Sequence, residues 1–192
     1  MKSHSFFAYI FRMRYIARWA LMRNTRTENV EEHSYEVAVL AHSLMVIGRD
    51  VFHKDLNPDA AASAALFHDV PEIITGDLPT PIKYHNPQMK QAYKEIEGVA
   101  QDKLLSMLPP ELVPAYEPLL RESDPVVRRY VKAADKLAAW LKCQEELKVG
   151  NAEFRRAAEE IMDALRAMKM EEVDYFLKYL GSAFQLTLDE LD

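Results

Sequence analysis

NPDAAASAALFHDVPE, residues 57–72, decides how the chain is read. Asn57 suits a helix N-cap and Pro58 a first helical turn, and the alanines behind them predict a helix running toward His68. That helix then places a histidine and an aspartate, His68 and Asp69, where a core-building segment buries apolar groups. Neighbouring helical side chains diverge by ~100°, so both reach one point only if it lies between their directions or at a helix end. Pro71 predicts such an end or a kink, because it lacks an N–H and disfavours helical geometry at Val70. Glu72 lies four residues past His68 and shares its face if the helix survives the proline.

Outward from this stretch, the periodicity stays helical and no alternating strand pattern appears. Phe6, Ile10, Met13 and Ile16 mark a first helix. A polar connection, RNTRTENVEE (23–32), leads to a second, from Glu32 to near Gly48, with Val37, Leu40, Ala41 and Leu44 on its apolar face. TGDLPTPIKYHNP (75–87) reads as loop. A helix over about 88–107 follows, with Ile96, Val99, Ala100 and Leu104 on one face, then the proline-punctuated helical piece LPPELVPAYEPLL (108–120). A long helix over 126–148, capped by Ser123 or Asp124 and stopped at Gly150, precedes helices near 152–168 and 170–180 and an acidic, loosely held tail. The expectation is one all-α domain over residues 1–192. Its core spans about 28–145, and the first and last helices pack on that core.

A net charge of −6 over 192 residues argues against a nucleic-acid surface. Arg12, Arg14, Arg18, Arg23 and Arg26 are a local exception, read either as an anion site or as a solvated helix face. The lone cysteine, Cys143, fits a small buried hydrophobe in a reducing compartment. The apolar run Phe6–Phe11 is short for a signal peptide, and no stretch reaches the ~18 apolar residues of a membrane span. A soluble cytoplasmic protein is expected.

Two further residues stand against their surroundings. His33 lies on the apolar side of the second helix, whereas His42, nine residues on, points away. Asp135, in YVKAADKLAAWLK (130–142), has Val131, Ala138 and Ala139 one turn away; it pairs either with Lys132 or Lys136 or with something brought to that small-residue face. Together His33, His68, Asp69 and Asp135 offer two imidazoles and two carboxylates, a set that suits Mn²⁺, Co²⁺, Fe²⁺, Ni²⁺ or Zn²⁺.

The pattern H…HD…D resembles the HD-superfamily metal phosphohydrolases. RWALMRNTRTENVEEHS (18–34), HDVPEIITGDLPTPIKY (68–84) and ADKLAAWLKCQEEL (134–147) resemble the bacterial 5′-deoxynucleotidases of that superfamily, and the likeness runs from SHSFFAYIFRM (3–13) to FQLTLDEL (184–191). Pro71 is a departure that could shift Glu72. The resemblance implies a helical HD-domain bundle, a homodimer, one divalent metal with Co²⁺ supporting activity, and hydrolysis of deoxyribonucleoside 5′-monophosphates. It implies His33, His68, Asp69 and Asp135 as metal ligands, Glu72 as the catalytic proton-exchanging group, and Arg18, Trp19, Asp77, Pro79 and Thr80 as substrate contacts. Lys83 would add positive charge near phosphate. Choice against ribonucleotides would come from Trp19 and Asp77 packing where a 2′-hydroxyl sits. Cyclic-nucleotide, triphosphate and alarmone hydrolysis, or a non-catalytic binding module, are the rival readings.

Overall fold

The structure is a computed structural model that describes residues 4–83, 85–121 and 123–191, with the side chain of Thr80 also outside the described set. Ten α-helices are described: α1 Phe6–Ile10, α2 Val30–Asp50, α3 Pro58–Ala65, α4 Glu72–Thr75, α5 Thr80–Lys83, α6 Pro87–Leu105, α7 Val113–Leu120, α8 Pro125–Lys148, α9 Arg155–Ala167 and α10 Glu171–Tyr179. No strand is present among the described residues, only an isolated antiparallel bridge between Ala17 and Asn29.

Three helices begin with one device. Asn57, Asn86 and Asp124 each accept a first-turn backbone N–H and are followed by Pro58, Pro87 and Pro125, whose missing N–H costs nothing there. α2 opens with a capping box: Asn29 accepts from the Glu32 N–H, and Glu32 accepts from the Asn29 N–H. α8 stops before Gly150, whose φ of +87° is open to glycine at little cost.

The main core joins α2, α3 and α8. Val37, Leu40, Ala41 and Leu44 meet Ala61, Ala64 and Ala65 of α3 and Val131, Ala134, Leu137 and Ala138 of α8. The alanines let three backbones approach, which brings His33 of α2, Asp135 midway along α8 and the residues just past α3 close together. Leu165 of α9 and Val173 and Phe176 of α10 complete this core. A second cluster packs Phe6, Met13 and Val30 against Val70, Leu104, Leu105 and Leu120. Cys143 is buried with Phe154 and Ala158, as a small hydrophobe should be, and burial pushes its thiol up to about 12. The tail is exposed, and the Lys148 ammonium donates to the Gln185 and Leu186 carbonyls beside it.

Two expectations from periodicity need correction. The first helix ends at Ile10; Met13–Tyr15 form a 3₁₀ turn and Ile16 is extended, because the chain bends there to pair with residues 28–30. On α6, Ala100 and Leu104 are buried, but Ile96 and Val99 are exposed, and Tyr93 holds the inner face instead. α6 carries apolar residues on two faces, and periodicity alone does not say which one meets the core.

Candidate functional site

α3 ends at Ala65, before the histidine. Residues 66–71 run on in tight turns, with N–H groups of Phe67, His68 and Val70 bonded three residues back, to Ala64, Ala65 and Phe67. Pro71 then precedes the separate short helix α4, which Glu72 begins. Glu72 and His68 therefore do not share a helix face. The break places His68 and Asp69 at a helix end, where adjacent side chains can converge: His68 Nε2 lies 3.1 Å from Asp69 Oδ2. The His68 Nδ1 faces the Ala65 carbonyl at 2.6 Å, and since a carbonyl only accepts, this nitrogen donates and Nε2 turns to the site.

His33, one turn into α2, is fully buried, with Nε2 3.1 Å from Asp135 Oδ1 of α8 and 3.8 Å from Asp69 Oδ2. Asp135 partners His33 here. His42 points outward near Asp59, as its place on the helix predicts. Donor atoms of His33, His68 and Asp135 all lie within 4.8 Å of one another. Among the described residues neither His33 Nδ1, which faces Glu28, nor His68 Nε2, which faces the cluster, has a hydrogen-bond partner. Asp135, its side chain 39% exposed, marks where the cluster opens to solvent.

The electrostatics are those of a pocket built around positive charge. Burial alone would lower the His68 pKa, but the nearby Asp69 charge, the Asp135 charge and the Ala65 carbonyl raise it to about 9. Burial opposes the charge on Asp135 as well, yet its hydrogen bond to His33 brings it to about 2. Asp69 is held well below the carboxylate range against burial, chiefly by His68, then His33 and Arg18. Glu72 goes the other way: burial, then the Asp69 charge, push it up to about 8 against the pull of Lys83. Its Oε1 is 3.4 Å from Lys83 Nζ, and its Oε2 is buried without a partner.

The remaining expected residues lie around this cluster. The Ala17–Asn29 bridge, with Val30 N–H donating to the Ile16 carbonyl and Arg18 N–H to the Glu28 carbonyl, pins Arg18 beside the start of α2. The Arg18 guanidinium is 11% exposed and reaches Asp69 Oδ2 at 3.4 Å. The other four arginines serve elsewhere. Arg14, Arg23 and Arg26 pair with Glu31, Glu153 and Glu145, and Arg12 lies over the Tyr15 ring. Trp19 sits at φ +58°, a conformation that costs a non-glycine residue about 1 kcal/mol or more. Packing on Phe154 and an indole hydrogen bond to Glu28 hold it there. Asp77 is half-buried in the loop after Gly76, with its carboxyl raised by burial and then lowered by Arg18. Pro79 is half-buried, and its carbonyl accepts from Ile82 and Lys83 at the start of α5. The Thr80 side chain lies outside the described residues.

Sequence reading missed Glu28. It looked like one more charge in a polar connection, yet it is 6% exposed and faces Arg18, Trp19 and His33 at once. No local signal reveals it, because only the bridge across residues 17 and 29 turns it inward.

The family model described as 5′-deoxynucleotidase YfbR-like matches residues 5–184. The chain belongs to the YfbR-like 5′-deoxynucleotidase family. It is similar to a 5′-deoxynucleotidase of Photorhabdus temperata, 48% identical over 188 residues that cover 97% of this chain and 95% of that protein. It is 46% identical to a 5′-deoxynucleotidase of Vibrio cholerae serotype O1, with both chains covered completely. Among solved structures, an HD-domain phosphohydrolase from Listeria innocua superposes with a TM-score of 0.82 at 26% identity, over 94% of this chain and 88% of that one. A cyanophage S-2L HD phosphohydrolase, bound to dA and one catalytic Zn²⁺ ion, shares the fold at a TM-score of 0.65 and 23% identity, over 89% of this chain and 93% of that one.

The donor cluster of this YfbR-like chain meets the geometric demands of a divalent transition ion. Ligand atoms about 2.0–2.3 Å from one ion lie roughly 3 to 4.6 Å from each other, close to the spacings measured here. The buried His68 Nε2, turned into the cluster with no hydrogen-bond partner among the described residues, is the strongest sign, since buried polar atoms are rarely left without a partner. No helix among the described residues is long and apolar enough to cross a membrane.

Proposed function

We propose that the protein is a metal-dependent 5′-deoxynucleotidase acting in the cytoplasm as a homodimer. On this reading residues 1–192 form one HD domain, and His33, His68, Asp69 and Asp135 hold one divalent ion, Co²⁺ among the candidates. The grouping of His33, His68 and Asp135 donor atoms within 4.8 Å, with Asp69 Oδ2 3.1 Å from His68 Nε2 and 3.8 Å from His33 Nε2, carries the reading. A bound ion supplies Lewis-acid polarisation of a phosphoryl oxygen and a water of lowered pKa.

The chain's own groups supply the rest. Arg18 leaves Asp69 to hold the phosphate through two parallel N–H donors. Water attacks phosphorus, the bond to the 5′-oxygen breaks, and the departing oxygen needs a proton. Glu72 still carries one at neutral pH, because burial and the Asp69 charge raise it to about 8. Lys83, beside Glu72 Oε1, stabilises the carboxylate that remains. Asp77 accepts from the 3′-hydroxyl, and the indole of Trp19, backed by Phe154, walls the sugar. Pro79 and Thr80 contribute the loop across the substrate. A 2′-hydroxyl would meet that wall without a hydrogen-bond partner, which disfavours ribonucleotides.

Phosphate release from a nucleotide panel at one Co²⁺ concentration tests this. Deoxynucleoside monophosphates are expected to exceed ribonucleotides by roughly 10- to 100-fold in kcat/KM. Equal or faster turnover of ribonucleotides or triphosphates overturns the substrate assignment. Light scattering reads the dimer.

Metal binding should also depend on pH with a definite sign. An ion needs a neutral imidazole, and the His68 pKa is raised to about 9. Binding therefore displaces a proton over the neutral range, and Co²⁺ affinity should rise with pH, up to about tenfold per unit for each proton released. Calorimetry in two buffers of different ionisation enthalpy counts that proton. PH-independent affinity would contradict the assignment of His68 as a ligand.

A further inference from the structure

We infer that Glu28 is a positioning residue, whose single carboxylate sets the tautomer of His33 and holds Arg18 and Trp19 in register with it. The inference rests on the metal site proposed above. Glu28 Oε2 accepts from Trp19 Nε1 at 2.7 Å and from Arg18 Nε at 3.3 Å. Its Oε1 lies 3.7 Å from His33 Nδ1, which has no hydrogen-bond partner. Both the His33 and Glu28 side chains are more than nine-tenths buried, so water does not readily replace either one.

The chemistry of the ring makes the contact consequential. A neutral imidazole carries its proton on one nitrogen and presents a lone pair on the other. Without an ion Nε2–H donates to Asp135 Oδ1 at 3.1 Å; to hold an ion Nε2 has to present its lone pair, and the Glu28 carboxylate opposite Nδ1 keeps the ring's remaining proton on that side. A shift of roughly half an ångström brings the pair to hydrogen-bond distance. The same carboxylate fixes the phosphate-reading guanidinium and the indole. One buried acid thus ties ion binding to substrate binding, although it sits in the connection between α1 and α2 and on neither helix.

Glu28→Gln separates this role from simple packing, since the amide has the same shape. Two N–H donors face the Oε2 position, so the amide carbonyl belongs there and the amide NH₂ takes the place of Oε1. That NH₂ then donates to His33 Nδ1. The ring proton is forced onto Nε2, which removes the lone pair that faces the cluster. Titration of the metal-stripped full-length protein with Co²⁺ alone is expected to show affinity reduced 10- to 100-fold in Glu28→Gln. The melting temperature before Co²⁺ addition should stay within a few degrees of wild type, and the nucleotide KM at saturating Co²⁺ within about threefold, because the Trp19 and Arg18 bonds survive. Glu28→Asp keeps the charge and should fall between the two proteins in Co²⁺ affinity. Wild-type Co²⁺ affinity in Glu28→Gln overturns the inference. So does a loss of affinity matched by a comparable loss of melting temperature, which would mark a packing role. Wild-type protein that binds no Co²⁺ would instead defeat the metal reading itself.

Discussion

Glu72→Ala is expected to lower turnover at least ~100-fold while Co²⁺ remains bound with near wild-type affinity, the loss typical of removing a proton donor. Glu72 is buried, begins α4, and stands apart from the donor atoms of His33, His68 and Asp135 that group within 4.8 Å. Among the described residues its Oε2 has no partner, and Oε1 reaches the Lys83 ammonium. An acid so placed has a proton to give near neutrality, because burial and the neighbouring Asp69 charge raise its pKa to about 8. The sign follows: kcat should decline as pH rises through the value Glu72 has in the complex, and a nearby cation moves that value down from about 8. In Glu72→Ala the alkaline decline should vanish together with most of the rate. Single-turnover assays across pH, paired with Co²⁺ titration, measure both. Unchanged turnover removes Glu72 from the reaction, and lost Co²⁺ binding would make it a ligand.

The largest effect on stability is expected at Glu146→Ala, at about 3–5 kcal/mol. Glu146 is fully buried on α8 beside Lys142, one turn back, and its carboxylate accepts from the Lys142 ammonium, from Thr25 N–H and Oγ1–H, from Arg26 N–H and from the Asn151 amide. These contacts anchor residues 25 and 26, just ahead of Glu28 and the α2 cap. Truncation would leave a buried ammonium with the Arg26 carbonyl and the face of the Phe154 ring, and no counter-charge in its place. For a chain of this size the cost amounts to a melting-temperature drop of roughly 6–20 °C. The Lys142 ion pair and the hydrogen bonds hold the Glu146 pKa well below its ordinary value, against the effect of burial. Its stabilisation is therefore present in full above the ordinary carboxylate range near 4.3 and fades as pH falls through the folded value, so the gap between variant and wild type should close in acid. Adding Lys142→Met to Glu146→Ala should restore part of the loss, because it removes the stranded charge. No recovery in scanning calorimetry would argue that the ion pair is not the source.

What the sequence disclosed depends on how local the signal is. Asn57 with Pro58 and the apolar stripe of α2 are local patterns, and both appear as read. His33 was legible because it interrupts that stripe, and Asp135 because it interrupts the small-residue face of α8. Pro71 announced an end at His68 and Asp69, yet the helix stops earlier, at Ala65, since tight turns absorb the residues that lead to the proline. Glu28 and Glu146 were not legible. Glu28 looked like part of a polar linker, and no pattern around Glu146 sets it apart from the other charges of its helix. The burial of both arises from contacts that reach as far as 121 positions along the chain, which no periodicity encodes.

The Ala17–Asn29 bridge has a bearing on how such a protein diversifies. It brings the two ends of the Arg18–Glu28 segment side by side, leaving Leu21 exposed near the tip. Closing a longer loop costs little, about 0.6 kcal/mol for each doubling of its length. Relatives of this chain can therefore add length beside the exposed Leu21 at small thermodynamic risk, whereas Thr25 and Arg26, anchored by Glu146, keep the rest of the segment fixed against the helices.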